Sequence, residues 1–170
     1  MKFFKFSIFC VVLLFSCKNE EVRLDSALVK KAINTNIEAW HKAASDADYE
    51  SYFDLMTKDG VFIGTDASEN WQLADFKSYA KPHFDKGKAW SFSTLERTIY
   101  LDSNQNMAWF DELLDTQMEI CRGSGVVQYV DGQWRIKHYV LSMTIPNDKV
   151  GDVINIKKKA DSIARIELLK

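Results

Sequence analysis

The feature that most restricts the fold of this sequence is a change of hydrophobic period after Trp90. Beyond it, apolar and polar side chains alternate as in half-buried β-strands. Four such stretches lie at about 90–101, 106–115, 118–130 and 133–145. The pair Asp131-Gly132 between the last two is a strong hairpin signal. Strands this long must twist and curl, so we predict a curved antiparallel sheet.

The chain before this sheet predicts helices. Apolar residues recur at three- and four-residue steps from Asp25 to about Ser45, a second helix can begin after Asp48, and a third after Asn70. Helices followed by a curled meander predict an α+β fold, a cone-shaped roll with the N-terminal helices on the concave face. Residues 148–170 predict an amphipathic C-terminal helix that packs on the domain, with a helix that lies on a partner or the nearby membrane as the alternative.

Composition narrows the possible functions. The length of 170 residues suits one domain, and 22 basic against 24 acidic residues, without a basic run, argue against nucleic-acid binding. Three scattered histidines make a zinc site improbable, so no metal is expected. Walker and dinucleotide glycine patterns are absent, so no cofactor is expected either. Whether the protein is an enzyme stays open at this point.

The N-terminus predicts export. Lys2 and Lys5 precede a short apolar run that ends in Leu14-Phe15-Ser16-Cys17, which resembles a bacterial lipobox. The interpretation is a lipoprotein signal peptide over 1–16, with Cys17 lipidated. An ordinary cleaved signal peptide is the alternative.

Lipidation would place the domain at the bacterial cell envelope. Residues 17–25 would then form the lipidated cysteine and a short tether that holds the domain near the membrane. A periplasmic and a cell-surface location both stay open. Cys121 would be the one cysteine left without lipid, so the domain depends on its core and has no internal disulfide.

Several segments, in order, resemble a SnoaL-like domain of the nuclear-transport-factor-two-like superfamily over about residues 28–147. The segments are Trp40, Phe62-Ile63-Gly64-Thr65-Asp66, Ala108-Trp109-Phe110-Asp111-Glu112, Arg122-Gly123-Ser124-Gly125-Val126, Asp131 to Tyr139, Leu141-Ser142 and Ile145-Pro146-Asn147. The resemblance implies a cone-shaped α+β domain over 26–147 that commonly dimerises through the outer face of its sheet. It implies no particular reaction, because the superfamily includes isomerases, cyclases, dehydratases and scaffolds.

Candidate site residues follow from the strand pattern. Strict alternation places Trp134, Ile136, His138 and Val140 on one face of the last strand, which we expect to point into the cone. His138 is then either a general base or a histidine held by a neighbour in the pocket wall. The glycines at 123 and 125 predict a bulge or a sharp bend.

The adjacent acids Asp111 and Glu112 must face opposite sides of their strand, so only one can look into the cone. A buried acid there could exchange protons with a substrate near neutral pH. The alternative is an acid paired with Arg122 on the adjacent strand. Trp40, Trp71 and Trp109 are candidates for the wall of an apolar site, or for the core. His41 and His83 are expected on the solvent side.

Two functions from different classes follow. The first is a membrane-tethered module that binds a small, mostly apolar molecule in the cone. The second is an enzyme of the isomerase or cyclase type that uses His138 and an acid such as Asp111. A dimeric scaffold without a working cavity is the third alternative.

Overall fold

The computed structural model describes residues 24–170, so the predicted signal peptide, Cys17 and most of the tether lie outside the described residues. In chain order the elements are α1 (Ser26–Ser45), α2 (Tyr49–Asp54), β1 (Met56–Ile63), β2 (Asn70–Gln72), α3 (Leu73–Asp85), β3 (Phe92–Leu101), β4 (Met107–Thr116), β5 (Glu119–Val130), β6 (Gln133–Met143) and α4 (Val150–Leu168). A short 3₁₀ turn at Asn147–Lys149 precedes α4.

The helices begin largely where the sequence predicts. The Asp25 carboxylate accepts a hydrogen bond from the Ala27 backbone N–H and caps α1, and Asp48 caps α2 through Ser51. The predicted cap at Asn70 is wrong, because Asn70 opens the short strand β2 and α3 begins three residues later.

The six strands form one sheet in the order β2-β1-β6-β5-β4-β3. The predicted α+β architecture, with a curved sheet, N-terminal helices and a C-terminal helix, is confirmed. One detail differs, because β1 pairs with β6 in parallel while every other neighbouring pair is antiparallel. Asp131 and Gly132 have φ angles of 52° and 83°, which fits the tight hairpin predicted between β5 and β6.

The two glycines carry no bulge in the β4–β5 pair, whereas β6 contains one opposite Val126 and Val127. The β4–β5 register runs without a break past Gly123 and Gly125. In the β5–β6 pair, Val126 faces His138 and Val127 faces Ile136, so Lys137 is the extra residue. An extra residue reverses which side the following side chains face. Trp134 and Ile136 are therefore buried on the inner face, and Tyr139 and Leu141 take over that face beyond the bulge.

Aromatic side chains fill much of the space between the helices and the concave face. Trp40 of α1 stacks on Tyr52 of α2 with 4.9 Å between ring centroids, and Phe62 of β1 stacks on Phe76 of α3 at 4.2 Å. All four are buried. Offset and edge-on contacts of this kind stabilise a core beyond the apolar area that they remove from water.

Helix α4 departs from the prediction. None of its residues is buried, so the predicted packing on the domain is not observed. Its exposed apolar residues include Ile154, Ile156 and Ile166. Within residues 24–170, no helix combines the length and the apolar character that crossing a membrane requires.

Candidate functional site: a buried carboxylate and an aromatic cleft

A buried polar network is centred on the side chain of Glu112, which points inward from β4 and is 1% exposed. Its Oε1 lies 2.9 Å from Nε2 of His41 and accepts a hydrogen bond of 2.7 Å from the Tyr139 hydroxyl. Its Oε2 accepts bonds from Nε and Nη2 of Arg97, at 2.8 and 2.6 Å. Both carboxylate oxygens are therefore satisfied from three elements, α1, β3 and β6.

Arg97 connects this carboxylate to the surface of α1. Its Nη1 donates to Asn34 Oδ1 at 2.8 Å and to Glu38 Oε1 at 2.6 Å, and its Nη2 also donates to Thr94 Oγ1. The guanidinium side chain is 2% exposed. Two carboxylates thus neutralise one buried cation, as a charge in a low-dielectric interior requires.

The network decides how its groups ionise. Burial by itself raises the pKa of Glu112, but the hydrogen bond from His41 and the charges of His41 and Arg97 outweigh it and hold the pKa below its ordinary value. Burial raises the pKa of Tyr139 well above its ordinary value, and the adjacent Glu112 carboxylate raises it further. Glu112 is therefore an ionised acceptor and Tyr139 a neutral donor at neutral pH.

A cavity of about 260 Å³ lies at the end of the sheet where the β4–β5 turn meets α3. We call it the aromatic cleft. Its apolar wall consists of Phe62, Trp71, Phe76, Tyr79, Trp90, Phe92, Met118 and Leu141, and its polar lining of Thr65, Glu69 and Gln117 together with Gly64. Trp71 stacks on Tyr79 at 4.3 Å and both are partly accessible. A compact flat molecule suits such a wall.

The outer face of the sheet carries four of the predicted site residues. Arg122 pairs with Asp111 at 3.3 Å, which is the pairing predicted as the alternative to a catalytic acid. Trp109 is 49% exposed and stacks on Tyr100. His138 also lies on this face, because the Lys137 bulge reverses the alternation on which the inward prediction depended.

The structure therefore divides the seven predicted binding residues among three places. Trp71 lines the aromatic cleft, Trp40 and Glu112 are buried inside, and the other four lie outside. His138 and Asp111 both lie on the outer face, on strands that β5 separates, and Asp111 pairs with Arg122, so neither joins Glu112 inside the cone.

Sequence reasoning missed His41 and Arg97. His41 was expected on the solvent side and is 3% exposed, because both Trp40 and His41 are covered at the C-terminal end of α1. One feature of the sequence could have indicated the pair. Arg97 lies on the strand next to Glu112, and a buried acid needs a cation as its partner. Among residues 24–170, no group of three or more histidine, cysteine or carboxylate side chains is arranged to hold a metal ion.

Comparison with known proteins agrees with this geometry. The SnoaL-like domain family matches residues 33–146, about two thirds of the chain. The chain belongs to the SnoaL-like domain family. None of the curated proteins resembles this SnoaL-like chain closely enough in sequence to count as a match.

Solved structures share the fold at low sequence identity. An NTF2-like protein of unknown function from Pseudomonas putida KT2440 is 15% identical, with a TM-score of 0.59, over 75% of this chain and 94% of that one. A protein with a cystatin-like fold from Nostoc punctiforme is 14% identical, with a TM-score of 0.57, over 70% and 93%. A proposed scytalone dehydratase from Novosphingobium aromaticivorans is 15% identical, with a TM-score of 0.59, over 70% and 86%. At these identities the likeness shows the fold alone.

Proposed function

We propose that this SnoaL-like domain binds a small, mostly apolar molecule in the aromatic cleft without changing it chemically. The observation that carries the proposal is the cleft wall, where the partly accessible rings of Trp71 and Tyr79 stack beside the buried core. The volume of about 260 Å³ lies just below the roughly 300–1,000 Å³ that is usual for small-molecule sites, which favours a compact ligand of one or two rings.

Binding is supported over catalysis by the state of the acids. Glu112 already accepts four hydrogen bonds or ion-pair contacts from His41, Arg97 and Tyr139, and neither it nor His41 lines the aromatic cleft. A general acid or base must reach the proton that it transfers. The isomerase or cyclase alternative would need a different acid, such as Glu69 at the cleft. The scytalone dehydratase neighbour bears on this alternative through its fold alone.

The test uses 2-naphthol as a probe and a chain from Lys18 to Lys170, which retains every described helix and strand. Saturable binding should raise the unfolding temperature, and Trp71→Ala should weaken binding about tenfold because it removes an aromatic wall. Trp109→Ala is the matched control, since Trp109 also stacks on a tyrosine but lies on the outer face. Unsaturable binding, or equal loss in both variants, would contradict the proposal.

The membrane tether stays part of the proposal. Cys17 and the lipobox-like segment before it support attachment to a bacterial membrane through lipid, on the periplasmic or the outer surface. Cys17→Ser should move the protein from the membrane fraction to the soluble fraction of the cell. Membrane association that persists in this variant would reject lipidation.

A homodimer is the proposed assembly. Trp109 and Tyr100 form an exposed stacked pair on the outer sheet face, where the family resemblance implies a dimer contact. Light scattering of the chain from Lys18 should give twice the monomer mass, and Trp109→Glu should give the monomer mass. A monomer before substitution would reject the dimer.

A further inference from the structure

A second and larger cavity lies at the opposite end of the sheet from the aromatic cleft. It is a groove of about 910 Å³ between α1 and the turns that join β3 to β4 and β5 to β6. We call it the helix–hairpin groove. Its volume lies within the roughly 300–1,000 Å³ that is usual for small-molecule sites. The ten-residue strand β4 separates the two cavities, so a ligand in one does not contact the other.

The groove has an apolar floor that residues 24–170 leave exposed. Leu24 and Leu28 are each 65% exposed there, and Tyr129 lies against Trp134 with 5.4 Å between ring centroids. Along α1 the lining continues through Ala32 to Ala39. From Leu28 to Ala39 the helical rise spans about 17 Å, so the apolar strip is long and narrow.

Among residues 24–170, the charge that lines the groove is of one sign. Lys31 is the only lysine, arginine, aspartate or glutamate of this part of the chain in the lining. The chain as a whole has more acidic than basic residues. An elongated apolar strip with a single cation at its side matches a molecule with one hydrocarbon chain and one negative group.

We propose that the helix–hairpin groove binds a free fatty acid, with the hydrocarbon chain along α1 and the carboxylate beside Lys31. The sequence position of the groove is consistent with such a ligand. Six residues lie between Cys17 and Leu24, so a lipid on Cys17 would keep the groove within about 25 Å of a membrane. The proposal depends neither on lipidation nor on the aromatic cleft.

The experiment uses the chain from Lys18 to Lys170, stripped of any lipid that copurifies with it. Titration calorimetry measures the binding of laurate below its micelle concentration. One saturable site is expected. Leu28→Gln should weaken laurate binding about tenfold because it removes apolar surface from the floor of the groove. Leu95→Gln is the matched control: Leu95 is 57% exposed and lies on β3 away from the groove, so its substitution should leave affinity unchanged.

A second pair of measurements tests the charge. Lys31→Gln should weaken laurate binding about three- to fivefold but leave binding of the uncharged dodecanol unchanged, because an exposed ion pair is worth little and acts only on the carboxylate. Circular dichroism checks that each variant is folded.

Three outcomes would overturn the proposal. The first is the lack of a saturable laurate site, and the second is equal weakening by Leu28→Gln and Leu95→Gln. The third is a groove covered by a second copy of the chain, seen by light scattering as a dimer that Leu28→Gln dissociates. Trp71→Ala should not change laurate binding, and Leu28→Gln should not change 2-naphthol binding. If laurate or 2-naphthol does not bind, the proposal for the other cavity is therefore still tested by its own ligand.

Discussion

Two neighbouring carboxylates on β4 show how differently the two faces of this sheet are built. Asp111 faces outward and forms one exposed pair with Arg122 at 3.3 Å. Glu112 faces inward, where His41, Arg97 and Tyr139 satisfy both of its oxygens. One step along the strand thus separates an exposed ion pair from a buried network. The face of the sheet on which an acid lies, and not its chemical type, therefore decides whether it forms a weak exposed ion pair or part of a buried network.

The largest expected change in stability comes from removing the charge of each acid in turn. Glu112→Gln removes the buried carboxylate from His41 and leaves Arg97 with the half-exposed Glu38 alone, and we expect it to lower the free energy of unfolding by about 3–5 kcal/mol. Asp111→Asn, the matched substitution on the outer face, should cost under about 1 kcal/mol, because its pair is exposed and screened. Urea unfolding of both variants in the chain from Lys18 measures the difference.

Equal losses in the two variants would show that the buried network adds nothing beyond a surface ion pair. Raising the salt concentration sharpens the comparison. Added salt should reduce the contribution of the Asp111–Arg122 pair and leave that of Glu112 nearly unchanged, because buried charges are poorly screened.

Much of the fold could be predicted from the sequence, because periodicity and turn chemistry are local signals. The four long strands and the Asp131-Gly132 hairpin follow from them. The single parallel pair, β1 with β6, did not follow, since residues far apart in the chain form it and no turn connects them directly.

The site was harder to predict for a physical reason. One extra residue, Lys137, moves His138 from the inner to the outer face. The residue types around Lys137 do not indicate a bulge. The partner of Glu112 was also missed. Arg122 is nearer along the chain, yet Arg97 lies opposite Glu112 on β3 and on the inner face.

A second prediction concerns the glycines on β5, which face inward beside the network. A Cβ at position 123 would lie 2.2 Å from the Tyr139 hydroxyl and 2.8 Å from Glu112 Oε1. Gly123→Ala should therefore lower the free energy of unfolding by about 1–3 kcal/mol through overpacking. Ser124→Ala, next to it on the outer face, should change stability by less than about 0.5 kcal/mol.

Removing the hydroxyl tests whether the clash is the cause. In a Tyr139→Phe background, Gly123→Ala should cost less than in the native chain, because the atom nearest to the new Cβ is gone. Strictly additive losses in the double variant would attribute the effect of Gly123 to something other than this contact.

The smallest expected effect is the pH dependence of the network. Because the pKa of Glu112 is lower in the folded than in the unfolded chain, its contribution is complete above the ordinary value near 4.5 and disappears as pH falls through the folded-state pKa. Over that window the native chain should lose up to about 1.4 kcal/mol per pH unit through this one group. Urea unfolding at intervals from pH 7 to pH 3 follows the loss.

Glu112→Gln separates the pH-dependent contribution of Glu112 to stability from that of the other acids. The pKa values of Asp48, Asp59 and Asp66 are also lowered, mainly by hydrogen bonds at the surface, and these groups titrate in the native chain and in the variant alike. The difference between the two stability profiles should therefore shrink as the pH falls below about 4.5. A difference that stays constant to pH 3 would mean that the pKa of Glu112 is the same in the folded and the unfolded chain, which would contradict the lowered pKa.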